Sequence, residues 1–548
     1  MAMDSRNSWA NRAATGMRDN GAATSLRTAV AVVTLGLLTL GLLTLGLLTL
    51  ASAAMAREPA RTGTFQIRVV DAKTKEPIAV NLYLRNERGK PVKARNQKAP
   101  YWKDHYTFLH TINLELPPGR YTFEMERGPE YKLREGNFEI STGADDSTDV
   151  TMERFVDMKK LGWWAGDLHV HRPPDDLPLL MLAQDLHVAP VITWWNESNV
   201  WAKAPLPDPI LKSFDDDRFY HLLAGEDERG GGALLFFNLT EPLTLPPRTD
   251  KEFPPMSQFL EQVGARSDAH VDIEKPFWWD MPIWVAVGGV DSIGLAHNHM
   301  QRAGMLDNEA WGKPRDKVFY PSPRGNGLWT QDIYYHLLNC GLRIPPSAGS
   351  ASGVLDNPVG YNRVYVYCGE TLTHEAWWEG LKAGRVVVTN GPLLRPRVND
   401  QLPGHVFQGQ LGEVMELSVK LDMSLREKVE YLEVVQNGRV VHEVRLDEYR
   451  NRKGVLPPVT FETSGWMLVR AITKNPDTFR FATTGPYYVE FSGRPRISRK
   501  SAQFFLDWVN ERGAMLKLDD PKQQEAVQAY VERARVFWQE KVAQANAE

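Results

Sequence analysis

The sequence predicts a multidomain chain in which an α/β domain is flanked by two β-sandwiches and followed by C-terminal helices. Three observations carry that prediction. Alternating apolar and polar runs occupy the regions before residue 156 and after residue 396, the pattern of half-buried strands. Between them, short apolar strands alternate with helical patterns, which argues an α/β domain that can close as a barrel. The last fifty or so residues return to helical spacing.

The elements follow in order. Residues 1–56 read as an export signal or, if uncleaved, an N-terminal anchor. Arg6, Arg12, Arg18 and Arg27 precede an apolar run in which GLLTL occurs at 36–40, 41–45 and 46–50, and Ala51-Ser52-Ala53-Ala54-Met55-Ala56 offers small-x-small cleavage sites. The folded part is therefore expected outside the cytoplasm, periplasmic or extracellular, touching membrane only through that segment. Residues 62–156 read as an N-terminal β-sandwich: "TFQIRVVDA" and "AVNLYLRN" alternate around the turn-forming "KTKEP".

Residues 160–395 form the α/β region. "WWAGDLHV", "APVITWW", "ALLFFNL" and "VDSIGLAHNH" read as strands. "LPLLMLAQDLHV", "DIYYHLLNCG" and "HEAWWEGLKAG" read as helices, with Gly341 as a stop. Residues 396–494 read as a second sandwich, with Asn437-Gly438 between alternating runs as its hairpin turn. Residues 495–548 read as helical. Asp520 caps one helix and Pro521 starts it. Val527, Tyr530, Val531, Ala534, Phe537 and Trp538 form a stripe expected to pack on the body.

Composition excludes some functions. With 64 basic and 68 acidic side chains the formal net charge is −4, so no basic surface for nucleic acid is expected. Cys340 and Cys368 are too few for a disulfide framework.

The candidate chemistry starts at "GDLHVHR". Side chains two apart on an extended chain share a face, so His169 and His171 stand together with Leu168 and Val170 behind them. Neutral imidazoles so placed are half of a divalent-metal site. A second pair, His297 and His299, ends another apolar strand. Thirteen histidines placed at random in 548 positions would give about 0.3 such pairs. In α/β folds ligands gather at the carboxyl ends of strands, where both pairs are expected. Glu226 in "LLAGEDE" follows an apolar run and is the leading carboxylate; Asp227 and Glu228 are expected to be solvated. Asp167 either orients a histidine or accepts backbone hydrogen bonds in a turn. Asn196, Arg343 and Arg363 are candidate substrate contacts, with salt-bridge or turn roles as the alternative. Trp194-Trp195 is a core pair or an aromatic platform.

"GWWAGDLHVHR" resembles the opening motif of the PHP (polymerase and histidinol phosphatase) superfamily. More closely, the chain resembles the exported CehA/McbA-like metallohydrolases, whose name comes from a carbaryl (carbamate ester) hydrolase. "LLAGEDERGGGALLFFNL", "LAHNHM", "LLNCGLRIPPSAGS", "GYNRVYVY" and "AGRVVVTNGPLL" extend the likeness over about residues 160–395. It implies a PHP-type distorted β/α barrel with metal at its mouth. It also implies His169 and His171 as the first metal motif, Glu226 as a metal-bridging glutamate, His299 or His297 as a later ligand, and Asn390 near the pocket. The chain departs from the family twice. Thr193-Trp194-Trp195-Asn196 stands where the family commonly has T-D-H-N. Gly349-Ser350-Ala351-Ser352-Gly353 stands where it often has G-S-D-x-H. Indole and alanine cannot ligate a metal, so one ion with an open position is expected rather than a full cluster.

The expected function is an exported metal-dependent hydrolase. A Zn, Mn or Fe ion would activate water to cleave an ester, carbamate or phosphoester in a small-molecule or glycan substrate, with Glu226 and Asp167 as candidate catalytic carboxylates. The alternative is a catalytically degraded PHP-like scaffold serving as a carbohydrate- or ligand-binding envelope protein.

Overall fold

A computed structural model describes residues 62–243, 246–264, 266 and 269–548. The signal or anchor expected over 1–56 lies outside the described residues. Among the described residues, no helix is long and apolar enough to cross a membrane.

The N-terminal sandwich forms as its alternation requires. The strand Gly63–Asp71 buries every second residue. It pairs antiparallel with Thr111–Leu116 and parallel with Asp145–Met152. Across from this sheet lies a five-stranded sheet centred on Ala79–Asn86 and Gly119–Glu126. Ile67, Val69, Leu82, Leu84 and Leu114 fill the space between the sheets. Apolar area removed from water contributes about 25 cal/mol per Å², which is why the alternation sets which face turns inward.

The α/β region belongs to a mixed sheet that closes on itself, seventeen strands among the described residues. Trp163–Gly166, Val188–Trp195 and Arg218–Arg229 run parallel in that order. Gly232–Phe237 pairs antiparallel with Arg218–Arg229 and with His270–Ile273; Ser292–Ala296 and Pro346–Ala348 then follow in parallel. The ring closes where Leu168 N–H donates to Ala348 O (3.0 Å) and Val170 bridges both Val191 and Ser352. The parallel strands therefore all present their carboxyl ends at one mouth. Helices Leu177–Gln184, Gly325–Asn339 and His374–Lys382 lie where the helical patterns predict them.

The boundary expected at 395/396 is not a gap. Val386–Thr389 pairs with Phe481–Thr484, so one sheet of the C-terminal sandwich continues into the barrel sheet. Leu393–Val398, Met415–Ser424 and Val455–Phe461 form its separate three-stranded sheet. Asn437 (φ 52°) and Gly438 (φ 85°) turn the expected hairpin with both residues left-handed, as a type I′ turn needs. Residues 62–548 form one compact unit.

The tail helices Arg499–Met515 and Pro521–Ala543 are capped by Ser498 and Asp520. Val527, Val531, Ala534 and Trp538 are buried, and Trp538 Nε1–H donates to Pro282 O (2.9 Å). The stripe thus packs on the body. Cys340 and Cys368 are both free thiols.

Candidate metal centre

The strand Trp163–Gly166 ends before the histidines, but the chain stays extended through Val170, held between Val191 and Ser352. Leu168 and Val170 are buried, and His169 and His171 share the other face as two-residue periodicity demands. The neighbouring G-S-A-S-G segment has no metal-binding side chain, yet its glycines matter sterically. A Cβ at Gly349 would sit 2.4 Å from His169 Cβ, and Gly353 (φ 104°) lies against the His171 carbonyl. Glycine at 349 and 353 lets this strand close against both histidines.

Asp167 settles its two alternatives in favour of the backbone. Oδ1 accepts the His169 and Ser350 N–H groups, each at 3.0 Å, and Oδ2 accepts Gly360 N–H at 2.6 Å. Fully buried, it contacts neither imidazole ring by hydrogen bond and is not placed as a catalytic group. It clamps the histidine turn to the 350–360 loop.

Three donor atoms converge. His169 Nε2 and His171 Nε2 are 3.0 Å apart, and Glu226 Oε2 lies 3.3 Å from the first and 3.0 Å from the second. Among the described residues, these three side chains form the one group of metal-capable donors. Glu226 comes from within Arg218–Arg229, whose neighbour Val188–Trp195 carries register shifts before Trp195 pairs with Glu226. Such bulges re-aim side chains.

A fourth residue, Glu274, joins the site from the end of His270–Ile273. Its Oε1 lies 3.3 Å from His169 Nδ1 and accepts Asn298 Nδ2–H at 2.7 Å; Lys275 Nζ pairs with its other oxygen. Sequence reasoning passed over Glu274 because "HVDI" is a four-residue strand interrupted by an acid. The available signal was its position just after a strand's carboxyl end.

Electrostatics follow from burial and pairing. Burial opposes charge on His169, but Glu226 and Glu274 outweigh it and raise its pKa to about 10. Burial raises Glu226 while His169 and His171 pull it down to about 2. Burial, with Glu226 and Glu274 nearby, raises Glu228 to about 7.

The second histidine pair does not join the donors. His297 Nε2 is hydrogen-bonded with Thr330 Oγ1 (2.9 Å) and its Nδ1 accepts His299 N–H (3.3 Å), so both nitrogens are engaged. His299 Nδ1 donates to Asn308 O (3.0 Å). Both rings pack on Phe277, at 5.4 and 5.6 Å. Burial, with the Lys275 ammonium adding to it, lowers His299 to about 3 and leaves it neutral.

The tryptophan pair divides. Trp194 is core, stacked on Phe236 at 5.7 Å. Trp195 is half-buried, its ring 5.1 Å from His171 and its Nε1–H donating to Glu228 Oε2 at 3.0 Å. Asn196 (φ 53°) ties the two strand ends together: its N–H donates to Glu226 O (2.9 Å) and its Oδ1 accepts Glu228 N–H (2.7 Å). Asp227 is not solvated; it is buried and accepts Arg229 Nε–H at 2.6 Å. Glu228 is likewise only partly exposed.

Arg343, Arg363 and Asn390 are framework residues. Arg343 pairs with Glu490 on the C-terminal sandwich. Arg363 is wholly buried, donating to Gly360 O, Gln184 O and Gln184 Oε1. Asn390 Nδ2 bonds Asn362 Oδ1 and Phe479 O, while its Oδ1 accepts Phe481 N–H.

The donor set fits a divalent ion. Ligand atoms about 2.0–2.1 Å from a tetrahedral ion lie roughly 3.3 Å apart, close to the spacings seen. Glu226 Oε2 is buried, and its polar neighbours are the Nε2 atoms of His169 and His171, the two nitrogens that would share an ion with it. His169 has a carboxylate on its outer nitrogen, the arrangement that fixes a ligating tautomer. No protein-family model matches this chain, and no curated protein matches it.

Proposed function

We propose that the protein is an exported, metal-dependent hydrolase with a PHP-type barrel related to the CehA/McbA-like enzymes, cleaving an ester, carbamate or phosphoester. One observation carries the reading: three lone-pair donors from two separate stretches, His169, His171 and Glu226, meet within 3.3 Å of one another at the strand ends. When bound, a Zn, Mn or Fe ion supplies Lewis-acid polarisation and acidifies water.

The chain's own residues prepare that site. Glu274 Oε1 accepts the His169 Nδ1–H hydrogen bond and so leaves Nε2, the nitrogen on the Glu226 side, as the one that would hold an ion in exchange for its proton. Asn298 and Lys275 hold Glu274 in turn. Trp195 stands beside His171 and donates its indole N–H to Glu228. Low exposure strengthens every electrostatic contact made there.

Elemental analysis of the full chain tests the reading, with His169→Ala and Glu226→Gln alongside and a panel of 4-nitrophenyl esters and phosphoesters after it. Stoichiometric metal lost in both variants, with turnover lost in parallel, is the expected result. Wild-type protein that stays metal-free after dialysis against zinc overturns it. A second reading, a degraded scaffold that binds carbohydrate, is favoured by the half-buried Trp195 ring beside His171. It predicts glycan retention without turnover.

A further inference from the structure

Glu228 also lines a cavity of about 340 Å³. Three cationic side chains line it, Arg229, Arg248 and Lys251, together with the indole of Trp311, whereas Glu228 is its one acidic wall.

The local chain explains why they meet. Arg218–Arg229 ends in Glu228 and Arg229, and the glycines at 230 and 231 turn the chain back into Gly232–Phe237. Gly230 N–H donates to Lys251 O (2.9 Å), which draws the 246–255 segment over the hairpin. A side chain at 230 would strike the Glu252 carboxylate, 2.3 Å from the position of a Cβ. Glycine there lets the two segments form one wall.

The cations are only partly spent. Arg229 is buried, gives Nε–H to Asp227 and lies over Phe259 at 4.8 Å, so it adds positive charge behind the cavity wall without a free donor facing the cavity. Arg248 meets Glu197 at 3.2 Å in a pair that is exposed on both sides, the kind water and ligands readily replace. Lys251 is 3.9 Å from Glu252, an acid already engaged by Arg512. Asp280, the other nearby carboxylate, is also held by Arg512.

Trp311 adds the second, independent observation. It is 59% exposed and left-handed (φ 61°). An aromatic residue in that conformation is an outlier that its surroundings must hold in place. Here Gly312 N–H donates to Glu309 O (2.8 Å) and Gly312 bridges Trp278. The constraint presents the ring at the cavity rather than burying it. An indole face beside guanidinium groups matches a flat ring that carries negative charge.

We propose that this cavity is a subsite for an oxyanion borne on a flat ring. Arg248 and Lys251 receive the anion, the buried Arg229 adds its charge from behind them, and Trp311 covers the ring. The subsite deepens the hydrolase reading by naming a substrate class, and it rests on that reading only for its role in turnover. Phosphate, sulfate and carboxylate share the recognising chemistry, so the experiment separates them.

The full chain is stripped of metal with chelator, dialysed, and titrated with phenyl phosphate, phenyl sulfate, benzoate, inorganic phosphate and phenol. Tryptophan fluorescence and calorimetry report binding. At least one ring oxyanion should bind about tenfold tighter than both inorganic phosphate and phenol, and Arg248→Ala should weaken it about tenfold, the effect of one charge-assisted contact. Trp311→Ala should reduce the ring oxyanion to the affinity of its inorganic anion, and Trp311→Phe should restore part of the difference. Both residues are partly exposed, and circular dichroism checks that the variants fold. No preference for ring oxyanions, or unchanged binding in Arg248→Ala and Trp311→Ala, overturns the subsite. Metal content measured on the untreated samples separates the two failures. Metal bound without ring-oxyanion binding sinks only the subsite, and the reverse sinks only the metal centre.

Discussion

Replacing Asp167 with asparagine removes one acceptor from a buried clamp of three backbone N–H donors. Asparagine Oδ1 can keep the His169 and Ser350 bonds. Its Nδ2 would then face Gly360 N–H, which now lies 2.6 Å from a carboxylate oxygen. Orphaning that buried N–H costs about 1–3 kcal/mol, and turning two charge-assisted bonds into neutral ones costs roughly 1 kcal/mol each. Relief of the buried charge offsets part of this, since burial raises the Asp167 pKa despite its hydrogen bonds. The net expectation is a loss of about 2–4 kcal/mol. Urea denaturation of wild type and Asp167→Asn, followed by tryptophan fluorescence, measures it. Because the clamp aligns 167–171 against 350–360, zinc affinity should fall as well. A midpoint within about 0.5 kcal/mol of wild type at equal m-value, with unchanged zinc binding, would refute the clamp.

Four further outcomes are expected. Glu274→Gln should lower zinc affinity about 10–100-fold by calorimetry, because it loosens the outer hydrogen bond of His169; equal affinity would remove Glu274 from the site. Gly349→Ala forces a Cβ to within 2.4 Å of His169 Cβ and should cost about 1–3 kcal/mol with loss of metal, measured by denaturation and elemental analysis. Trp538→Ala empties a fully buried position between the tail helix and the body and should cost about 3–5 kcal/mol, read by thermal unfolding. Burial lowers His187 and His270 well below 6.5. Both stay neutral in the folded state while the unfolded chain protonates them, so stability is complete above pH 6.5 and falls as pH drops, by up to about 1.4 kcal/mol per unit for each histidine. Glu130, raised to about 7 first by its burial and then by Asp185, acts in the opposite direction between pH 7 and 4.5. The comparison is therefore made against His187→Leu, whose stability should fall less steeply on acidification than that of wild type; parallel curves would contradict a neutral buried His187.

Much of the architecture was legible because it is local. Alternation in "TFQIRVVDA" reports which face of a strand is wetted, and Asn437-Gly438 supplies the left-handed angles a tight hairpin needs. Asp520-Pro521 begins a helix by the same short-range chemistry, and the shared face of His169 and His171 follows from backbone geometry alone. None of these depends on residues more than a few positions away.

What only the tertiary structure decided was convergence. Two H-x-H pairs look alike in sequence, yet His169 and His171 meet Glu226 while His297 spends its nitrogens on Thr330 and the His299 backbone. Trp194 and Trp195 are neighbours, yet one fills the core and the other stands at the mouth. Glu274 lies 105 positions (274 − 169) from the histidine it orients, and Arg363 is drawn inside by carbonyls from residue 184. The physical reason is that side-chain direction along a strand is set by neighbouring dihedral angles, whereas meeting at a barrel mouth depends on strand order, register shifts and closure between segments far apart in the chain.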